Sequence, residues 1–257
     1  MAQHSGDDFE YIKQSVDAGV APLELRFVPI VNPESGFPVA YRLRPVIRSV
    51  LLGELQPEDY TSASDTHPIG LALLRHTLHR AVAALERFDQ AGQSVAFLSI
   101  RCPAPLVETE DLHGQLSHFL SLYPALDPSR LCLEFPASLM ERQTDKAQNA
   151  VRDVRLLKIR TAVTGFGAQD FPTAKLLTVC PDIVFLDPNA TAYAGSRNKP
   201  QLLPALVNLA GAMRISAIAV GTQAQRKAMR GTDCIGFVHT DGVTLSLDEA
   251  LALKEEH

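Results

Sequence analysis

The sequence is short of cysteine, has no long apolar run and carries no excess of positive charge. Its four cysteines, Cys102, Cys132, Cys180 and Cys234, are far apart and none forms a C-x-x-C pair. That argues against a disulfide framework and predicts buried free thiols in a reducing compartment. No stretch approaches the ~20 consecutive apolar residues needed to span a bilayer. The acidic opening, MAQHSGDDFEYI, lacks the apolar core of a secretory signal, so a cytoplasmic location is expected. The net charge of −5 argues against a broad nucleic-acid footprint, although local basic clusters are compatible with it. No linker-like stretch interrupts the chain, and one domain is expected.

What is present is an ordinary globular composition, 46% hydrophobic and 21% charged, arranged as short apolar runs alternating with amphipathic ones. A helix is expected over Phe9–Gly19. Strands over 23–31 and 37–47, joined by the turn Asn32–Gly36, form a hairpin. Pro57 opens one helical turn, and Pro68 sits at the start of a long helix whose Leu71, Leu74, Leu78, Val82 and Leu85 share a face. Thereafter strands near 94–100, 130–135, 160–165, 182–187, 217–221 and 234–242 alternate with helices near 112–122, 142–158, 172–179, 204–215, 223–231 and 247–257. Repeated strand–helix units imply a mainly parallel sheet, and about eight strands in ~250 residues favour a closed (β/α)8 barrel over an open doubly wound sheet.

Chemistry in such folds sits where strands end. The stretch TAVTGFGAQDF (Thr161–Phe171) has a glycine-rich turn after a strand. A dinucleotide loop needs G-x-G-x-x-G, but position 170 is Asp170, and a P-loop needs G-K-[ST], which is absent. A tight turn permitted by glycine is the better local reading. His76 and His79 share a helix face beside Arg75 and Arg80, which reads as a solvated basic face rather than a metal site. His239 and Asp241 make a weak catalytic pair, with no nucleophile on a sharp elbow. Glu134 ends a strand and faces the barrel mouth, alone. Arg42, Arg44 and Arg48 cluster about the second strand, where period-two alternation sets Arg42 and Arg44 on one face. They can hold a phosphate, form a surface patch or pair internally.

The order of segments resembles the EAL domain, the barrel that hydrolyses the bacterial messenger cyclic di-GMP. LRFVPIVNPESGFPVAYRLRP is similar to the family's opening YQPIVD…TG…GxEALLRW. LQPEDYTSASDTHPIG, SVAFLSIRCPAPL, RLCLEFPASLM, TAVTGFGAQDFPTAKLLTVCPDIVFLD and ISAIAVGTQAQRKAMR match its later blocks in order, covering about Phe9 to Val243. The resemblance implies a modified TIM-like barrel with one early strand antiparallel. Residues 1–22 are a lead-in, 23–247 the barrel and 248–257 a C-terminal helix or tail.

Carried over position by position, the resemblance implies a lost catalytic site. The metal-binding glutamate of the E-A-L triplet falls on Arg42, and the arginine that follows the triplet falls on Val46. The asparagine of the next strand falls on Ser99. Glu134 is retained, while its companion is Ala137. The paired aspartates fall on Thr164 and Gly165, and the catalytic lysine on Phe185, with Asp187 kept. The late glutamates fall on Val220 and Gln223, and a glutamine near Thr240 or Asp241. Two-metal hydrolysis needs a cluster of oxygen ligands. The expectation is therefore a non-enzymatic protein without cofactor or metal, acting through protein partners, a homodimer included. A metal-independent cyclic di-GMP receptor comes second, and an enzyme reusing the mouth through Glu134, His239 and Asp241 comes last. The residues expected to face the mouth are Arg42, Arg44, Glu134, Asp187 and Asp241. Neither nucleic acid nor membrane is an expected partner.

Overall fold

A computed structural model describes residues 6–17, 23–65, 69–142, 144–192 and 201–253. Among the described residues nine strands form one sheet: β1 (Leu23–Val31), β2 (Pro38–Ser49), β3 (Gly53–Leu55), β4 (Leu98–Arg101), β5 (Leu131–Pro136), β6 (Arg160–Phe166), β7 (Ile183–Leu186), β8 (Ser216–Gly221) and β9 (Cys234–His239). Their order is β1-β9-β8-β7-β6-β5-β4-β2-β3, and pairing of β1 with β2 closes eight of them into a barrel. From β2 through β9 the neighbouring barrel strands are parallel, whereas β1 is antiparallel to both β2 and β9. The expected barrel with an early antiparallel strand is the observed one. The reason is local: the short connection Asn32–Phe37 leaves no room for a crossover and can only reverse the chain.

Alternation in the strands divides the apolar residues into two layers. Ile30, Ala40, Phe97, Cys132, Ala162, Ile183, Phe185, Ile218, Val220 and Val238 pack together inside the barrel. Their sequence neighbours Val31, Tyr41, Leu98, Leu131, Leu133, Val163, Val184, Ala217, Ala219 and Phe237 belong to the larger core beneath the helices. On the helix Ile69–Gln90, Leu74, Leu78, Val82 and Leu85 are buried, as their spacing predicts, while Leu71 packs at the edge of the core. Phe88 near its end stacks on Tyr41 at 5.4 Å and meets Phe27 edge-on at 6.0 Å. Aromatic contacts of this kind each contribute roughly 0.5–1.5 kcal/mol beyond area burial and fix this helix on the β1–β2 hairpin. A satellite cluster of Ile12, Val16, Leu23, Ile47, Leu55, Tyr60, Ile69 and Leu73 attaches the helix Gly6–Asp17 to the far end of that hairpin.

Several boundaries differ from the sequence expectation. β2 ends two residues later than expected and turns into the unexpected β3, which pairs Ile47–Ser49 with Gly53–Leu55. Arg42, Arg44 and Arg48 therefore all lie within β2. The expected strand 94–100 pairs as a ladder over Leu98–Arg101, and its lead-in still bonds β2, with Ala96 N donating to Val39 O at 2.8 Å. The helix expected over 142–158 is observed over Thr144–Leu156, and a short helix that was not expected, Ala137–Arg142, precedes it. A short helix, Pro188–Thr191, was not expected. Gly19, Pro68, Gln143 and residues 254–257 lie outside the described residues.

Cys102, Cys132 and Cys234 are buried free thiols as expected, and burial pushes the Cys234 thiol up to about 12. Cys180 is the exception: it is exposed, at a left-handed C-cap with φ +50°. No helix among the described residues is long and apolar enough to cross a membrane.

Candidate functional site

The C-terminal ends of the parallel strands open into a cleft of about 420 Å³, the barrel mouth. Arg42, Arg44, Arg101, Glu134, Val220, Val238 and His239 line it. The register places the central residues side by side. Arg42 on β2 lies beside Ser99 on β4, and Arg101 on β4 lies beside Glu134 on β5.

Two side chains bind Glu134, which is only 2% exposed. Arg42 grips it bidentately: Nε donates to Oε1 at 2.8 Å and Nη2 to Oε2 at 2.5 Å. Ser99 Oγ donates to Oε1 at 2.6 Å. The Arg42 guanidinium also lies 4.7 Å from the centre of the Phe185 ring. Planar guanidinium, carboxylate fork and aromatic face are mutually matched. Burial works to lower the Arg42 pKa, but the adjacent Glu134 charge and hydrogen bonds outweigh it and hold Arg42 above its ordinary value. The cluster is closed: both carboxylate oxygens accept charge-assisted bonds, and a cation already stands against them. Of the three sequence readings of the arginines, an internal ion pair is what Arg42 makes.

The other arginines pair with carboxylates other than Glu134. Arg44 Nη2 donates to both carboxylate oxygens of Glu58 at 2.7 Å, and Arg48 pairs with Glu24 and Glu54. Arg101, which sequence reasoning did not single out, donates to both oxygens of Asp65 at 3.1 and 2.6 Å, and Asp65 also accepts from Ala104 N. Its only sequence signal was its place at the end of the strand LSIR.

The remaining candidates disperse. Asp187 caps the helix Pro188–Thr191, accepting from Asn189 N at 2.8 Å. Asp241 is exposed in the loop after β9. Among the described residues, no hydrogen bond joins His239, Asp241 and Glu134. Burial lowers the His239 pKa, Arg226 adds to this, and Asp241 works against it. Gln223 is exposed at the start of its helix, Val220 packs inside the barrel, and Ala137 opens the helix after β5. Val46 is buried on β2, and Thr240 donates its N–H to Gly221 O.

The glycine-rich turn is structural. Thr164 and Gly165 end the regular ladder of β6, where the register shifts, and Gly165 and Gly167 both have φ +88°. A Cβ on Gly167 would stand 2.9 Å from Leu206 Cδ1 and 3.1 Å from Ala190 Cβ. Phe166 between them is fully buried against Phe171. The next helix, Thr173–Val179, starts only after Pro172, so no helix N-terminus faces the turn as a phosphate loop requires.

His76 and His79 are not a solvated face. His76 Nε2 meets Asp17 at 3.2 Å, and His79 Nδ1 lies 2.6 Å from Tyr123 Oη while its ring packs on Phe119. Arg75 and Arg80 beside them are exposed. The helix Gly6–Asp17 and the helix Leu112–Ser121 flank this face, which sequence periodicity alone does not reveal.

Residues 15–237 match the EAL domain family. No curated protein matches the sequence. Among solved structures, the PaMucR phosphodiesterase in complex with c-di-GMP aligns with TM-score 0.79 and 15% identity, covering 93% of this chain and 98% of that one. The FimX EAL domain of Xanthomonas citri, in complex with c-diGMP, aligns with TM-score 0.79 and 16% identity, covering 96% and 95%. An EAL domain protein from Listeria monocytogenes EGD-e aligns with TM-score 0.72 and 18% identity, covering 97% of each chain.

Proposed function

The chain belongs to the EAL domain family, of the cyclic di-GMP signalling type, and from that premise we propose that it is a catalytically inactive member that regulates through protein contacts. The observation that carries this reading is the closed Arg42–Glu134–Ser99 cluster under Phe185. A pair of divalent cations needs several free oxygen ligands. Among the described residues, no group of three or more His, Cys, Asp or Glu is placed to hold a metal ion. The retained carboxylate has both oxygens committed, and the guanidinium adds positive charge where a cation would have to enter. These residues do not fit the metals of the family reaction, and no hydrolytic step is derived through them.

Purified protein incubated with cyclic di-GMP and magnesium or manganese is expected to leave the dinucleotide intact. Linear product formed in a metal-dependent way would overturn the reading.

A second reading, a metal-independent cyclic di-GMP receptor, is favoured by the cleft above the Glu134 cluster and its partly exposed Arg44. That reading requires Arg44 to leave Glu58. Calorimetry with the dinucleotide, with and without magnesium, separates the two: binding abolished by Arg44→Ala supports a receptor, and no heat in either buffer supports regulation through protein contacts alone.

A further inference from the structure

The opposite end of the barrel carries a second cleft, of about 650 Å³, at the entry to strands β5, β6 and β7. Its lining holds four cationic side chains, Arg152, Arg155, Lys158 and Arg160, against a single carboxylate, Asp182. In a chain with net charge −5 this is a local inversion of sign. Two of the cations are pre-set. Arg155 Nε donates to Asp182 Oδ1 at 3.1 Å and Nη1 to Cys180 O at 2.9 Å. Arg160 Nε donates to Ser129 O at 2.7 Å, with its guanidinium 5.5 Å from the centre of the Phe97 ring. The other two project outward. Arg152 is exposed, and its ion-pair contact among the described residues is with the neighbouring Asp153, at 3.7 Å. Lys158 is exposed at a left-handed position, φ +63°, and has no ion-pair partner among the described residues. Apolar surface accompanies the charge: Leu156 in the cleft is 65% exposed, and Leu177, which precedes the lining residue Thr178 in the chain, is 66% exposed.

We infer that this cleft is a docking site for an acidic segment of a partner protein that carries an apolar anchor, an inference that rests on the reading of the chain as a protein-binding regulator. Charge complementarity selects an acidic occupant, because fixed guanidinium groups pair carboxylates with geometric specificity. The exposed Leu156 among the cations selects a peptide over a bare anion, since phosphate gains nothing from apolar contact. A nucleic-acid strand needs a basic track with stacking platforms along it, and here the cations surround one cleft. The site lies away from the strand ends that carry chemistry in barrel folds, so occupancy there leaves the mouth free.

The test uses the whole chain and a fluorescein-labelled peptide with leucines at every third or fourth position and glutamates between, followed by anisotropy. Binding is expected, weakened by roughly tenfold or more in the Arg152→Glu/Lys158→Glu variant and by rising salt. Leu156→Ser is expected to weaken it by about fivefold with the salt dependence unchanged. Circular dichroism checks that the variants fold. Arg80→Glu combined with Lys227→Glu, at exposed cations outside the cleft, makes the same change in net charge and is expected to bind as the parent does. Absence of binding, parental binding by Arg152→Glu/Lys158→Glu, or a loss matched by Arg80→Glu/Lys227→Glu would overturn the inference. So would tighter binding of a single-stranded oligonucleotide, or full displacement by inorganic phosphate at equal charge. The two readings fail separately: hydrolysis of cyclic di-GMP by a protein that still binds the peptide refutes inactivity alone, and an inactive protein with an empty cleft refutes the docking site alone.

Discussion

The two ends of the barrel each set an arginine against a carboxylate, and the outcomes are opposite. At the mouth, Arg42 and Glu134 are joined by two bonds, with Glu134 2% and Arg42 31% exposed, and Phe185 and Ser99 complete the enclosure. At the other end, Arg155 and Asp182 are 45% and 34% exposed, and loosely held cations stand around them. The same residue types close one site and leave the other open. What differs is desolvation: charges taken out of water must find complete partners, whereas charges left in water remain available to an incoming one.

The contrast breaks most visibly at Arg42. Arg42→Ala leaves the buried Glu134 carboxylate without its counter-charge, and a loss of roughly 3–5 kcal/mol is expected from a urea unfolding midpoint. Arg42→Leu combined with Glu134→Gln removes both charges while keeping an acceptor for Ser99, and should recover much of that loss. If Arg42→Ala unfolds at the parental midpoint, the mouth is not closed by this pair.

A smaller effect is expected at the two glycines of the turn, which share φ +88° but differ in surroundings. Gly167→Ala meets Leu206 and Ala190 and should cost roughly 1–3 kcal/mol. Gly165→Ala meets only Ala137 Cβ at 3.9 Å, so only the backbone cost of about 1 kcal/mol applies. Equal thermal shifts in the two variants would mean that packing contributes nothing at Gly167.

The smallest effect belongs to the open end. Arg155→Ala should cost less than about 1 kcal/mol, because solvent screens an exposed pair. A loss comparable to that of Arg42→Ala would erase the distinction between the ends.

Much of the architecture was legible in the sequence because its signals are local. Period-two and period-3.6 patterns marked nearly every strand and helix, and the short turn at Asn32–Gly36 required an antiparallel start. The site was legible only as an inventory. Arg42 and Glu134 stood out singly, but nothing in the 92 positions that separate them along the chain announces that one grips the other. Arg101 with Asp65, His79 with Tyr123 and the exposure of Cys180 were missed for the same reason: each depends on a neighbour brought by another element.

By itself the sequence determined which residues are available: one glutamate, Glu134, where the resemblance implies a cluster of metal-binding carboxylates, an arginine and a phenylalanine in place of others of the set, and cations from the end of the helix Thr144–Leu156 to the start of β6. Only the tertiary structure decided which of these charges are enclosed and which stay in water. Parallel register sets Arg42, Ser99 and Glu134 on adjoining strands inside the barrel, while the entry to β6 leaves Arg152 and Lys158 at the surface. Burial, a property of the folded whole, gives identical charges different fates.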